Sequence, residues 1–201
     1  MFVGLTEAFS IAQAHEQMNT NYYGVIRTTQ AVLPAMRKAG RGLIINTSSI
    51  VGRLSPPFFG TYTATKHALE GYSQALRYEV ASSGVDIALV EPGPFATELL
   101  NRSQPPALEA VVASYGDLSE VPVAMSKNFE QMLQAGDPLT DPQVVAQTYL
   151  DLASMPAGTR PMRTVVGLTW GVDEINRLTQ PIQDNILSDF QLDGVLGGAS
   201  A

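Results

Sequence analysis

Cysteine is absent from this chain of 201 residues. Its absence removes disulfides, thiolate metal sites and a cysteine nucleophile together. Imidazole is scarce as well. His15 and His67 lie far apart with no carboxylate cluster beside them, so they read as helix or surface histidines and no metal site is expected. No apolar run approaches the roughly 20 residues that span a bilayer. The opening Met1-Phe2-Val3-Gly4 also lacks the basic region and small-residue cleavage site of a secretory signal. A cytoplasmic location without a membrane partner is the expectation. Positive charge is short too: 12 Lys and Arg against 19 Asp and Glu give a formal net charge of -7 and a pI near 4.7. Binding a nucleic-acid backbone needs a basic face that releases counterions, so that partner is not expected. The one basic clump, Arg37, Lys38 and Arg41, closes a predicted helix, where it complements the helix dipole.

What is present has the make-up of a globular domain: 45% hydrophobic and 15% charged residues, with a mean hydropathy of +0.05. Ser10 followed by Gln13 matches a capping box and opens a long predicted helix from about Ser10 to Ala39, with Gly24 and Pro34 as places where it can bend. After Gly40-Arg41-Gly42, the run Leu43-Ile44-Ile45-Asn46-Thr47 is apolar on both alternations, as in a strand buried on both faces. Tyr62 to Ser82 carries Ala64, Ala68, Leu69, Tyr72, Ala75 and Leu76 at helical spacing, with Gly84 expected at its C′ position. A second strand, Val85 to Val90, ends at Pro92-Gly93. The pattern weakens from Ala96 to Ala135, where Pro105, Pro106 and Pro122 interrupt, as a lid or an irregular connection would. Asp141-Pro142 caps a helix to Ser154. Arg163 to Gly167 is a third strand, and Val172 to Phe190 a final helix containing Pro181. Alternating strands and long helices imply a parallel sheet with helices on its faces, in one domain spanning 1–201.

Tyr62 and Lys66 stand four apart on one helix, so their side chains leave the same face and can flank one ligand. Ser49 lies just past a strand's C-terminal end, where ligands bind in open α/β sheets. Taken singly, a helical Tyr-x-x-x-Lys is a surface pair, Ser-Ser after a strand is a turn, and Pro-Gly is a loop. Taken in order, Asn21-Tyr22-Tyr23-Gly24, Asn46-Thr47-Ser48-Ser49, Tyr62-Thr63-Ala64-Thr65-Lys66 and Pro92-Gly93 with Thr97 have the arrangement and spacing of the short-chain dehydrogenase/reductase family, which the chain resembles from about Met1 to Thr97. A serine hydrolase on Ser49 and His67 fails for want of a Gly-x-Ser-x-Gly elbow and an orienting acid.

The resemblance implies an α/β fold: the C-terminal half of a Rossmann-like, doubly wound parallel sheet. It also implies hydride transfer between NAD or NADP and a small-molecule alcohol or ketone. By resemblance, Tyr62 is the acid/base, Ser49 holds the reacting oxygen, Lys66 holds the nicotinamide ribose, and Asn21 keeps a water in the proton path. Thr47, Ser48, Pro92, Gly93 and Thr97 join Tyr62 and Lys66 around the cofactor. A phenol with a pKa of about 10 is a poor base at neutral pH, and a neighbouring ammonium and an oxidised nicotinamide both favour phenolate. The family's Thr-Gly-x-x-x-Gly-x-Gly turn and its Asn-Asn-Ala-Gly do not occur in the chain, so phosphate grip and cofactor preference fall on no residue here. An N-terminal truncation is expected, with an apolar edge at Leu43 to Thr47, poor stability or association, and weak turnover by the chain alone. Residues 96–136 are expected to form the substrate lid, and the two long helices to pair subunits into a dimer or tetramer. The other reading is a non-catalytic remnant or interaction subunit unable to bind dinucleotide.

Overall fold

A computed structural model describes residues 1–192. The first predicted helix is one rod in three parts. Ser10 Oγ accepts from the Gln13 amide at 3.2 Å while Gln13 Oε1 accepts from the Ser10 amide at 3.1 Å, closing the capping box. Helix α1 (Ile11–Met18) then passes through a π turn at Asn19–Tyr23, where the Gly24 amide reaches back to the Asn19 carbonyl, and continues as α2 (Gly24–Ala39). Arg37 and Lys38 occupy the last turn of α2, and Gly40 ends it in the left-handed region at φ 63°, as such caps commonly do.

Three strands match the sequence reading closely: β1 (Gly42–Thr47), β2 (Val85–Pro92) and β3 (Arg163–Val166). They form a parallel sheet in the order β1-β2-β3, with Gly42 opposite Val85 and Leu89 opposite Arg163. Helix α3 (Gly60–Ala81) connects β1 to β2 and ends at the cap Ser82, so Gly84 stands two residues beyond the cap rather than next to it. There its φ is +71°, and a Cβ would lie 2.2 Å from the Gly40 carbonyl oxygen, so only glycine fits.

Residues 96–136 contain two helices, α4 (Glu109–Ser114) and α5 (Val121–Gln134), the second with Pro122 in its first turn. Helix α6 (Pro142–Ser154) is capped by Asp141, which accepts from the Gln143 amide at 2.9 Å; α7 (Val172–Asp189) closes the described chain with Pro181 inside it.

Alternation along the strands sorts the core into two layers. Ile44, Val85 and Ile87 pack with Leu33 and Met36 of α2 and Leu76 and Val80 of α3; Leu89 meets Leu69. Ile45, Val90 and Val166 face Val145, Tyr149 and Leu152 of α6 on the other side. The sheet is therefore wound on both faces. Ile87, Leu89 and Val90 are completely buried, each contributing about 1.5–3 kcal/mol of transfer free energy. Among the described residues β1 pairs with β2 alone, and its Leu43, Ile44 and Ile45 remain only partly buried, as expected for an apolar edge. No described helix is long and apolar enough to cross a membrane, and the described residues hold no metal-ligand cluster.

Candidate active site

The parallel pairing of β1 and β2 brings their C-terminal ends together, and the site forms there. The Ser48 amide donates to the Val90 carbonyl at 2.7 Å, prolonging the ladder by one residue. Ser49 then leaves the sheet as the cap of a 3₁₀ turn (Ile50–Gly52); its hydroxyl accepts from the Val51 amide and donates to the Pro92 carbonyl, each at 3.3 Å. Tyr62 and Lys66 point inward from the first turns of α3, 8% and 9% exposed. Lys66 Nζ donates to the Thr47 carbonyl at 2.7 Å and lies 5.7 Å from the centre of the Tyr62 ring.

Burial governs both ionisations. It pushes the Tyr62 phenol up to about 12, with the Ser49 side chain pulling the other way, and lowers Lys66 to about 8 against the raising influence of Glu70. Lys66 Nζ is turned toward the Thr47 carbonyl, and without a nicotinamide burial outweighs the Ser49 contact, so Tyr62 stands as a neutral phenol at neutral pH, the form that donates a proton. The Met1 amino group, half-buried nearby, is lowered by burial and then by the Lys66 charge.

Asn21 sits in the π turn and acts at one remove: its Nδ2 donates to Thr65 Oγ1 at 3.1 Å, which donates to the Tyr62 carbonyl at 2.7 Å. The Thr47 hydroxyl is 2.5 Å from the Tyr149 hydroxyl of α6, and Ser48 is buried. Gly93 comes directly after Pro92 and donates its amide to the Val166 carbonyl at 2.8 Å; a Cβ there would lie 2.2 Å from the Leu168 carbonyl oxygen. Thr97 stands apart, exposed, with its hydroxyl accepting from the Leu99 amide at 3.4 Å. The fold thus gathers Thr47, Ser49, Tyr62, Lys66 and Pro92, keeps Asn21, Ser48 and Gly93 adjoining, and leaves Thr97 outside. Val3, Ile50, Val51, Phe59 and Val172 wall Tyr62, and Leu100 and Met125 of the 96–136 segment lean on the same group.

Sequence reasoning missed a polar cluster behind this face. Arg163 Nε lies 2.8 Å from Glu70 Oε2 and 3.6 Å from Glu91 Oε1, and Arg163 Nη2 donates to Gln74 Oε1 at 2.7 Å. Asn176 of α7 donates to Glu91 Oε2 at 2.5 Å and accepts from Arg53 Nε at 2.9 Å. Glu70 is 3% exposed and Glu91 not at all. Burial, then the neighbouring Glu70, pushes Glu91 up to about 8. The available signal was a carboxylate closing an otherwise apolar strand run.

Known proteins share this framework. A 3-ketodihydrosphingosine reductase of Bacteroides thetaiotaomicron is 43% identical over 118 residues, 57% of this chain and 44% of its own length. An uncharacterized oxidoreductase of Bacillus subtilis, YusZ, is 36% identical over 151 residues, 75% of this chain and 52% of its own. The chain therefore spans about half the length of these relatives. A short-chain dehydrogenase from Streptomyces avermitilis superimposes with a TM-score of 0.70 at 27% identity, covering 95% of this chain and 65% of that one. A serine dehydrogenase complexed with NADP⁺ shares the fold at a TM-score of 0.63 and 21% identity, over 83% of this chain and 60% of that one. The sequence profile described as short chain dehydrogenase matches residues 3–107. That match takes in β1, β2, Thr47, Ser49, Tyr62, Lys66 and Pro92, and with it this chain belongs to the short chain dehydrogenase family.

Proposed function

We propose that this chain carries the proton-transfer side of an NAD- or NADP-dependent oxidoreductase acting on an alcohol or ketone. The observation that supports it is the meeting of Tyr62, Ser49 and Lys66 where β1 and β2 end, with Lys66 fastened to the Thr47 carbonyl at 2.7 Å. When bound, the nicotinamide supplies or takes the hydride. Tyr62, neutral in the free chain, donates its phenol proton to a substrate carbonyl oxygen and takes it back in the reverse direction. The Ser49 hydroxyl holds that oxygen. Lys66 has N–H bonds beyond the one given to Thr47 with which to hold the ribose, its charge favours the phenolate left once Tyr62 has given up its proton, and the replacement proton comes along the path that Asn21 organises. Pro92 and Gly93 would shape the wall beside a bound nicotinamide, Thr47 and Ser48 would adjoin the cofactor, and Thr97 would contact the carboxamide.

Residues 96–136 form the substrate lid of this single domain. Leu100 and Met125 against the Tyr62 wall favour that assignment, and exposed Leu99, Leu108 and Met132 give it an apolar surface. The donor set fits the nicotinamide end of a dinucleotide. The glycine-rich pyrophosphate turn does not occur in these 201 residues, and among the described residues β1 pairs with β2 alone; both features favour, for the chain alone, the second reading of a subunit that binds no dinucleotide.

The test is NAD(P)H absorbance over an alcohol and ketone panel, with the longest in-frame protein containing this chain and its Tyr62→Phe variant. Loss of one hydroxyl should cut turnover by about 10²–10⁴ while cofactor affinity stays nearly unchanged. Equal rates would remove Tyr62 from the reaction.

A further inference from the structure

Alternation along β2 points Ile87 and Leu89 at α3, and Glu91, two residues on, points the same way. It meets Glu70, which lies one helical turn beyond Lys66 on α3. Two carboxyl groups therefore share a dry pocket whose cation in direct contact is Arg163, at 2.8 and 3.6 Å. Two carboxylates in such surroundings do not both ionise, because desolvation and mutual repulsion together outweigh one guanidinium. Each group also has one buried oxygen, Oε1, with no hydrogen-bond partner to satisfy it, an arrangement that costs free energy. A single proton between the two carboxyls removes both difficulties. The side facing the proton is set by the neighbours. Arg163 and, through space, Arg53 supply positive charge, Gln74 joins Arg163 from α3, and Asn176 of α7 donates to Glu91. Lys66 is the charged group on the far side of Glu70, with Tyr62, the Thr47 carbonyl and the Met1 amine around it.

We propose that Glu70 and Glu91 share one proton, held on Glu91, and that the negative charge so fixed on Glu70 is a positioning charge that keeps Lys66 an ammonium at neutral pH beside Tyr62. Glu70 and Glu91 touch neither substrate nor cofactor; they act through Lys66. Burial alone draws the Lys66 ammonium toward neutrality, and Glu70 opposes it. Glu91 in turn is joined by its peptide bond to Pro92, whose carbonyl receives the Ser49 hydroxyl at 3.3 Å, so the same pair braces the strand end that holds Ser49. The significance of Lys66 here rests on the oxidoreductase reading above; the shared proton does not.

The chain has three lysines, Lys38, Lys66 and Lys127, so selective ¹³C labelling of lysine side chains lets Lys66 be titrated by NMR without interference from the Met1 amine. Its midpoint is expected near 8 in the native chain. Glu70→Gln should lower it by about one pH unit. Glu91→Gln should leave it within roughly 0.3, since a neutral amide that donates an N–H to Glu70 reproduces the protonated acid. Glu70→Asp, which keeps the charge, should stay nearer the native midpoint than Glu70→Gln and serves if the glutamine variant fails to fold. In the unsubstituted chain, infrared spectra at neutral pH should show the C=O stretch of a protonated carboxylic acid, which vanishes above pH 8 and is missing from Glu91→Gln. An unmoved Lys66 in Glu70→Gln, an equal fall in both glutamine variants, or no acid band in the unsubstituted chain each overturns the proposal. If these titrations behave as expected while Tyr62→Phe keeps full turnover, the oxidoreductase reading fails and the shared proton stands.

Discussion

Replacing Lys66 by Met should flatten one limb of the dependence of stability on pH. In the folded chain burial lowers the ammonium from 10.5 to about 8, and the group is 9% exposed. Unfolded, it recovers its ordinary value. Below pH 8 it is charged in both states, and folding bears the full cost of burying it. Between pH 8 and 10.5 the unfolded chain binds more protons than the folded one, so stability rises with pH across that window and levels off above it. The interval, at about 1.4 kcal/mol per pH unit, bounds the recovered free energy at about 3.5 kcal/mol. The hydrogen bond to Thr47, made by ammonium and neutral amine alike, does not alter the slope. Tyr62 contributes the opposite limb: its raised phenol makes stability fall between pH 10 and about 12. Urea melts of both chains at a series of pH values check this. The unsubstituted protein should gain nothing on Lys66→Met from low to neutral pH, and then up to about 3.5 kcal/mol from pH 8 to 10.5. Parallel curves through that window would refute the claim that the fold buries a charged lysine.

Two further substitutions probe the surroundings. Arg163→Met should destabilise the fold by about 3–5 kcal/mol at alkaline pH and by less in acid, where Glu91, raised by burial, carries no charge; denaturant midpoints equal to the native ones at pH 9 would show that the carboxyls need no counter-charge. Gly93→Ala places a methyl group 2.2 Å from the Leu168 carbonyl oxygen, a backbone neighbour that cannot rotate aside, and should cost about 1–3 kcal/mol, read as a lowered Tm.

What could be read from the sequence was local. Ser10 with Gln13, Asp141 with Pro142 and the apolar runs at 43–47 and 85–90 each specify an element through contacts within a few residues, and each element formed at nearly its expected bounds. Tyr62 and Lys66 belong to the same class, since one helix fixes their spacing. The π turn had no such sign, because Asn19-Thr20-Asn21-Tyr22-Tyr23 carries no aliphatic stripe in which a change of helical phase could be read. The carboxyl cluster was hidden for a different reason: Arg163 and Glu70 lie 93 residues apart, and only strand pairing across β2 and β3 brings them together. The raised phenol of Tyr62 in the cofactor-free chain was not legible either. Spacing placed an ammonium near it, but the direction in which Lys66 points, and the dryness around the phenol, depend on the packed core.

The π turn at Asn19–Tyr23 carries a phase as well as a bond. One residue beyond the α-helical count adds about 100° of rotation between α1 and α2. On the α1 side, Gln17 must face the Phe2 amide, which it meets at 3.1 Å; on the α2 side, Val25, Leu33 and Met36 must face the core that covers the sheet. Removing any one residue of the five would leave a tidier helix unable to meet both demands, so the irregularity keeps the two halves of the rod aimed at different walls.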